Sequence, residues 1–204
     1  MHDEVNLILT DIGGVCVENP YRILSEILYR SFGKDSDLSY ETMKSLARKL
    51  DAGTMTFDDF ALGVIHSTGV PLDVVSFTKL HDESLLEKKD VIELYLRVRR
   101  MYDLRLEAVS NMPEHTWQML SRKFGFQEIF DRTFLSFRTG ILKPDPGIFR
   151  LVLSEENSSA QNCIFIDDSA ENVKAAEASG IESHHFVDSA GLRTFLERVG
   201  LKPD

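Results

Sequence analysis

Val5 to Val17 reads VNLILTDIGGVCV. Its first half is mostly apolar, β-branched or leucine, and short, as a strand covered on both faces of a parallel sheet must be. Asp11 stands where that strand ends. Gly13 and Gly14 follow at once and let the backbone turn sharply, so that its N–H groups can face an anion. Ligands of an open parallel sheet bind outside the carboxyl ends of its strands, which makes Asp11 a candidate nucleophile aimed at a phosphate ester.

Around this stretch the composition is that of a globular protein. The chain has 204 residues, 43% hydrophobic and 27% charged, enough for one fair-sized core or a core with a smaller insert. A net charge of −10 argues against nucleic acid or an anionic membrane as a partner, since both call for a basic face. No apolar run approaches the ~20 residues needed to span a bilayer, and the acidic start MHDEV lacks the basic character of a signal peptide, so a cytoplasmic protein is expected. The two cysteines, Cys16 and Cys163, lie in or beside apolar strand-like runs and are expected as buried, reduced thiols.

After Val17 the pattern turns helical. Ile23, Leu24, Ile27 and Leu28 share one face, closed by Gly33. A second helix spans about Tyr40 to Leu50. A third, opened by Thr56-Phe-Asp-Asp59 as a capping box, carries Phe57, Phe60 and Val64 inward and ends at Gly69. Pro71 starts a fourth and Val91 to Met101 forms a fifth. A helical cap of residues 18–88 is thus inserted after the first strand, between residues 1–17 and 89–204 of the core.

The core continues with a strand at Arg105–Val109, a helix from Pro113 to about Phe124, a short strand near Thr133–Leu135 and a helix over Pro146–Leu153. The apolar strand Cys163–Ile166 runs into Asp167 and Asp168, and Ser169 caps a helix reaching Gly180. Glu182–Val187 and Leu192–Val199 complete the alternation as strand and helix. Strands alternating with helices specify an α/β fold, a doubly wound Rossmann-like parallel sheet.

Several segments end in polar groups that such a sheet brings to one edge: Asp11, Ser110-Asn111 and Asp167-Asp168, with Lys143 in the loop Thr139–Asp145. Each has a plainer reading alone. Asp11 suits a turn, Ser110-Asn111 a helix cap, and Lys143 solvent. Adjacent carboxylates such as Asp167-Asp168 repel unless a cation or donors compensate. Together they form a set: hard Mg²⁺ takes carboxylate and phosphate oxygens, and a carboxylate nucleophile, a lysine and a hydroxyl serve phosphoryl transfer.

Asp11-Ile-Gly-Gly-Val15, Ser110-Asn111, Lys143-Pro144-Asp145 with Phe149, and Phe165-Ile-Asp-Asp168 with Asn172, Ala176 and Gly180 resemble, in order and spacing, the haloacid dehalogenase-like hydrolase superfamily with a helical cap. The resemblance implies an aspartyl-phosphate on Asp11, later cleaved by water, with a small phosphorylated metabolite as substrate. It implies phosphoryl contacts from Ser110, Asn111, Lys143 and the backbone around Ile12 and Gly13. It implies Mg²⁺ held by Asp11, the Gly13 carbonyl, Asp167 and Asp168, with Asp167 as the direct ligand of the pair. Phosphatases of the family carry a second aspartate where this chain has Gly13, so the usual general acid is missing. The Asp-x-Gly-Gly-Val variant resembles phosphatases acting on sugar phosphates such as glucose 1-phosphate, whose better leaving group needs less protonation. His115 and Glu18 are the substitute acids nearest in sequence, though solvated surface positions suit both better. Dehalogenation is the rival chemistry, and a catalytically weak phosphate-binding module is the rival role.

Overall fold

The computed structural model describes residues 5–203; Asp204 and the first four residues of the acidic start lie outside them. β1 (Leu7–Thr10) is followed by four helices, α1 (Pro20–Phe32), α2 (Ser36–Asp51), α3 (Phe57–Thr68) and α4 (Val74–Ser84). α5 (Lys89–Tyr102) leads to β2 (Arg105–Ser110), and α6 (Glu114–Phe124) with the short α7 (Phe126–Ile129) leads to β3 (Arg132–Leu135). The single turn α8 (Ser136–Thr139) and α9 (Gly147–Glu155) precede β4 (Cys163–Asp167). α10 (Ala170–Ala178), β5 (Glu182–His185) and α11 (Ser189–Arg198) follow.

All strand pairs are parallel, in the order β3-β2-β1-β4-β5, so the first strand is the central one. Alternation along the strands divides the core. Ile8, Leu106, Ala108, Ile164 and Ile166 face α5, α6 and α11 on one side. Leu7, Leu9, Val109 and Phe165 face α9 and α10 on the other. β1 is buried at every position, as its unbroken apolar run requires. Both cysteines are free and buried, and burial pushes the Cys16 thiol up to about 12 and the Cys163 thiol up to about 11.

Helices α1 to α4 enclose an apolar cluster of their own, with Leu24, Leu28, Met43, Phe60, Val64 and Phe77 buried. Each of the four starts with a side-chain cap: Asn19, Asp35, Thr56 and Asp73 accept from the N–H three residues on. The chain leaves the sheet and returns to it along two adjacent linkers. Val17 pairs with Glu87, Glu18 N–H donates to Leu86 O at 2.8 Å, and Lys88 N–H donates to Cys16 O at 2.8 Å. No described helix is long and apolar enough to cross a membrane.

Some boundaries differ from the sequence reading for local reasons. α4 starts at Val74 rather than Pro71, because Asp73 supplies the cap for its first turn. β5 stops at His185, since its only neighbour β4 ends at Asp167, whose carbonyl already accepts from Phe186 N–H. Ser169 occupies the N-cap position of α10, but its side chain makes no capping bond. The turns α7 and α8 span four residues each, too few for a periodicity to register.

Candidate active site

The carboxyl ends of β1, β2 and β4 meet at one edge, and the loop after α8 reaches the same place. Asp11 follows β1 directly and is held by its own strand neighbours. Its N–H donates to Ile166 O at 2.8 Å, while the Thr10 hydroxyl at 2.9 Å and the Cys16 thiol at 3.4 Å donate to its carbonyl. Ile12 N–H donates to Asp11 Oδ1 at 2.7 Å and orients the carboxylate. Lys143 Nζ lies 3.0 Å from Asp11 Oδ1 and 2.6 Å from Asp167 Oδ2, and its side chain is 1% exposed.

The acidic pair after β4 is divided in its surroundings. Asp167 is fully buried and accepts from Lys143 Nζ, from Ser169 N–H and, through both of its oxygens, from Asn172 Nδ2. Those four contacts fill the roughly four lone-pair directions of a carboxylate. Asp168 is exposed, and one ligand oxygen each from Asp11, Asp167 and Asp168 lie within 4.8 Å of one another. Gly14, at φ 79°, passes against the Asp168 side chain so closely that a Cβ would overlap its carboxylate. Gly13 next to it is open: a Cβ there meets nothing within 4 Å.

Charge is unbalanced in this cluster. Three carboxylates surround one lysine, and burial, together with Asp167 and Asp168, pushes Asp11 up to about 7 against the opposing pull of Lys143. Burial also raises Asp168, with Asp167 adding to the rise. Burial works against the Lys143 charge, yet Asp11 and Asp167 hold its pKa above the ordinary lysine value. An excess of buried negative charge with exposed oxygen donors is what a hard divalent cation fits.

Ser110, at the end of β2, is 3% exposed and its hydroxyl has no hydrogen-bond partner, although it is near enough to Asp11 to favour the charged carboxylate. The Asn111 side chain clasps the lysine backbone. Its Nδ2 donates to Lys143 O at 2.9 Å and its Oδ1 accepts from Lys143 N–H at 2.8 Å. It fixes the loop that carries the lysine. Asp11, Gly13, Asn111 and Asp168, from the loops at the sheet edge, and Tyr21 and Asp51, from α1 and α2, line one open cavity of about 170 Å³.

Asp51 and Tyr21 are the residues the sequence reading missed. Asp51 is the last residue of α2; its Oδ1 is buried without a partner, and burial, reinforced by Asp11, pushes its pKa up to about 7 while Lys143 opposes. A detectable signal existed, because an acid at a helix C-terminus opposes the helix dipole. The substitute acids named from sequence lie elsewhere. Glu18 is exposed and pairs with Lys88 at 3.5 Å. His115 is not a solvated surface residue: its Nε2 bonds Asp82 Oδ1 at 2.8 Å, its ring stacks on Phe57 at 4.1 Å, and it lines a separate hollow.

Residues 5–180 match the family model described as haloacid dehalogenase-like hydrolase. The chain is 27% identical over 188 residues to a sesquiterpene phosphatase of Aspergillus oryzae, covering 92% of this chain and 91% of that one. It is 23% identical over 199 residues to a D-ribitol-5-phosphate phosphatase of Bacteroides thetaiotaomicron, covering 93% and 95%. Among solved structures, a family enzyme of Bacteroides thetaiotaomicron in complex with magnesium and inorganic phosphate superposes with a TM-score of 0.67 at 21% identity, covering 88% of this chain and 93% of that one.

Proposed function

The chain belongs to the haloacid dehalogenase-like hydrolases, and on that premise we propose that it is a Mg²⁺-dependent phosphatase of small phosphate monoesters working through an aspartyl-phosphate on Asp11. The observation that carries the reading is the buried triangle of Asp11, Lys143 and Asp167 at the carboxyl edge of the central strand, opening onto a cavity.

In this reading Asp11 attacks phosphorus and Lys143 offsets charge on the nucleophile and the transferring group. A buried hydroxyl left unpaired costs about 1–3 kcal/mol, and a phosphoryl oxygen is the partner that removes this penalty at Ser110. Ile12 N–H is engaged by the Asp11 carboxylate and the Asn111 side chain by Lys143, so in this reading the main chain at Gly13 and Asn111 supplies the further N–H donors. Asp11, the Gly13 carbonyl and Asp168 would hold Mg²⁺. Asp167, which has four hydrogen-bond contacts, positions Lys143, so in this reading Asp168 is the more available direct ligand of the pair. Bound Mg²⁺ supplies charge neutralisation and polarises a phosphoryl oxygen.

Residues 18–88 act as a cap over a core of residues 1–17 and 89–204. The cavity matches the scale of the ~150 Å³ engineered cavities that hold one benzene, so it admits a phosphoryl group and the adjoining end of its ester. Val17, Pro20, Met112 and Pro113 make part of its wall apolar. The substrate panel therefore includes both polyol or sugar phosphates and an isoprenoid phosphate, as relatives are named for each kind.

Gly13 favours a second reading, a phosphate-binding module without turnover. Phosphate release from this panel, with and without Mg²⁺, separates the two. The phosphatase reading expects metal-dependent release that Asp11→Asn abolishes. Release without metal, or release surviving Asp11→Asn, refutes the mechanism, and no release from any ester leaves the binding module.

A further inference from the structure

We propose that Asp51, carried by α2 rather than by the sheet, is the general acid and base that this chain uses in place of the missing aspartate at position 13. The inference rests on the phosphatase reading above and adds to it the source of the proton.

The geometry has three parts. Position 13 holds no side chain and faces open space, so nothing at that position of the loop donates a proton. Asp51 lines the same cavity as Asp11 and comes to it from α2 rather than from the sheet edge, within the space an ester seated on Asp11 would enter. Its Oδ1 is buried without any hydrogen-bond partner, whereas its main chain is fixed, with Asp51 O accepting from the Ser136 hydroxyl at 2.6 Å. An unpaired buried carboxyl oxygen held beside a reaction centre is stable as an acid and has a proton to give. The groups facing it are Asp11 and Lys143 from the sheet edge and Tyr21 from α1. Burial, reinforced by Asp11, pushes Asp51 up to about 7 while Lys143 opposes, so both its acid and its carboxylate forms are present near neutrality.

The step balances. An Asp11 oxygen forms a bond to phosphorus as the bond between phosphorus and the alcohol oxygen breaks. That electron pair goes to the alcohol oxygen, which takes the Asp51 proton and leaves as the free alcohol. Water then attacks the aspartyl-phosphate and gives its proton to Asp51, releasing phosphate and restoring both carboxyls.

A leaving-group comparison tests this. Asp51→Asn keeps the size of the side chain and removes its acid. Its kcat/KM on an alkyl phosphate is expected to fall about 10²–10⁴-fold, while that on 4-nitrophenyl phosphate, whose phenol leaves without protonation, changes by only a few fold. Adding Gly13→Asp to Asp51→Asn is expected to recover alkyl phosphate turnover, since position 13 has room for a side chain. Equal loss on both esters, at unchanged melting temperature, or no loss on either, overturns the assignment. Asp11→Asn is run beside it: turnover that needs Asp11 but is indifferent to Asp51 refutes only this inference, whereas wild-type protein inactive on every ester refutes the phosphatase reading itself.

Discussion

Glu107 lies in the middle of β2, fully buried, with neither carboxylate oxygen hydrogen-bonded. Burial pushes its pKa up to about 8; Glu156 beside it adds to the rise and Arg105, 4.0 Å away, opposes it. The folded state therefore keeps a proton there that the unfolded chain releases above about pH 4.5. This contribution to stability is complete below that pH and is lost as pH rises toward about 8. Glu107→Gln should flatten the dependence and raise the melting temperature at pH 8 by roughly 2–4 °C, as read by calorimetry across pH 5–9. A second residue-scale contrast concerns the paired glycines. Gly14→Ala places a Cβ against Asp168 at a positive φ, at a cost of about 1–3 kcal/mol, and should lower both melting temperature and phosphate release. Gly13→Ala, which meets nothing, should leave stability nearly unchanged. The sequence disclosed Asp11, Ser110 and the acidic pair because each ends an apolar strand, whereas Lys143, in a loop, stood out only as a member of the set. Asp51 was passed over because it closes an ordinary amphipathic helix, where its opposition to the helix dipole was its one sign, and its meaning arises only when α2 meets the sheet edge. The contacts of Asp167 were hidden for the same reason, since they depend on where Lys143 and Asn172 reach.

At the scale of elements, local chemistry explains most boundaries. Thr56 accepts from Asp59 N–H at 3.1 Å and donates to Asp59 Oδ2 at 2.7 Å, so the expected capping box closes through the two side chains. Thr56→Ala should cost about 1 kcal/mol, a melting-temperature loss of about 2–4 °C, with phosphate release unaffected at temperatures where the protein is folded. Gly33, Gly69 and Gly125 end their helices in the left-handed conformation, which is why those stops were readable. What proved unreadable was pairing. The end of β5 is set by the end of β4, and no property of residues 182–187 alone announces it. The contacts joining α4 to α6 were equally silent: His115 on α6 and Asp82 on α4 meet through a hydrogen bond between residues 33 apart in the chain.

Across the molecule, two apolar clusters flank the sheet and a third lies within α1 to α4. A cluster that is not continuous with the others can open on its own, at a lower free energy than the whole. Native-state hydrogen exchange should accordingly show the amides of α1 to α4 exchanging as one unit, earlier than those of β1, β2 and β4; simultaneous exchange of both sets would show a single cooperative unit instead. That the sheet is parallel was legible from the alternation of strands and helices, and the insertion of helices after β1 from the long break in that alternation, whereas the strand order with β1 at the centre was not. The paired linkers at Val17 and Glu87 have a further consequence, for descent rather than for chemistry. Because the excursion begins and finishes at one spot, its length and content are free to vary while every strand keeps its neighbours. Replacement of that loop-out by an unrelated one would leave Asp11, Lys143 and Asp167 where they are, whereas Asp51 and Tyr21 would be exchanged together with the part of the cavity wall they form.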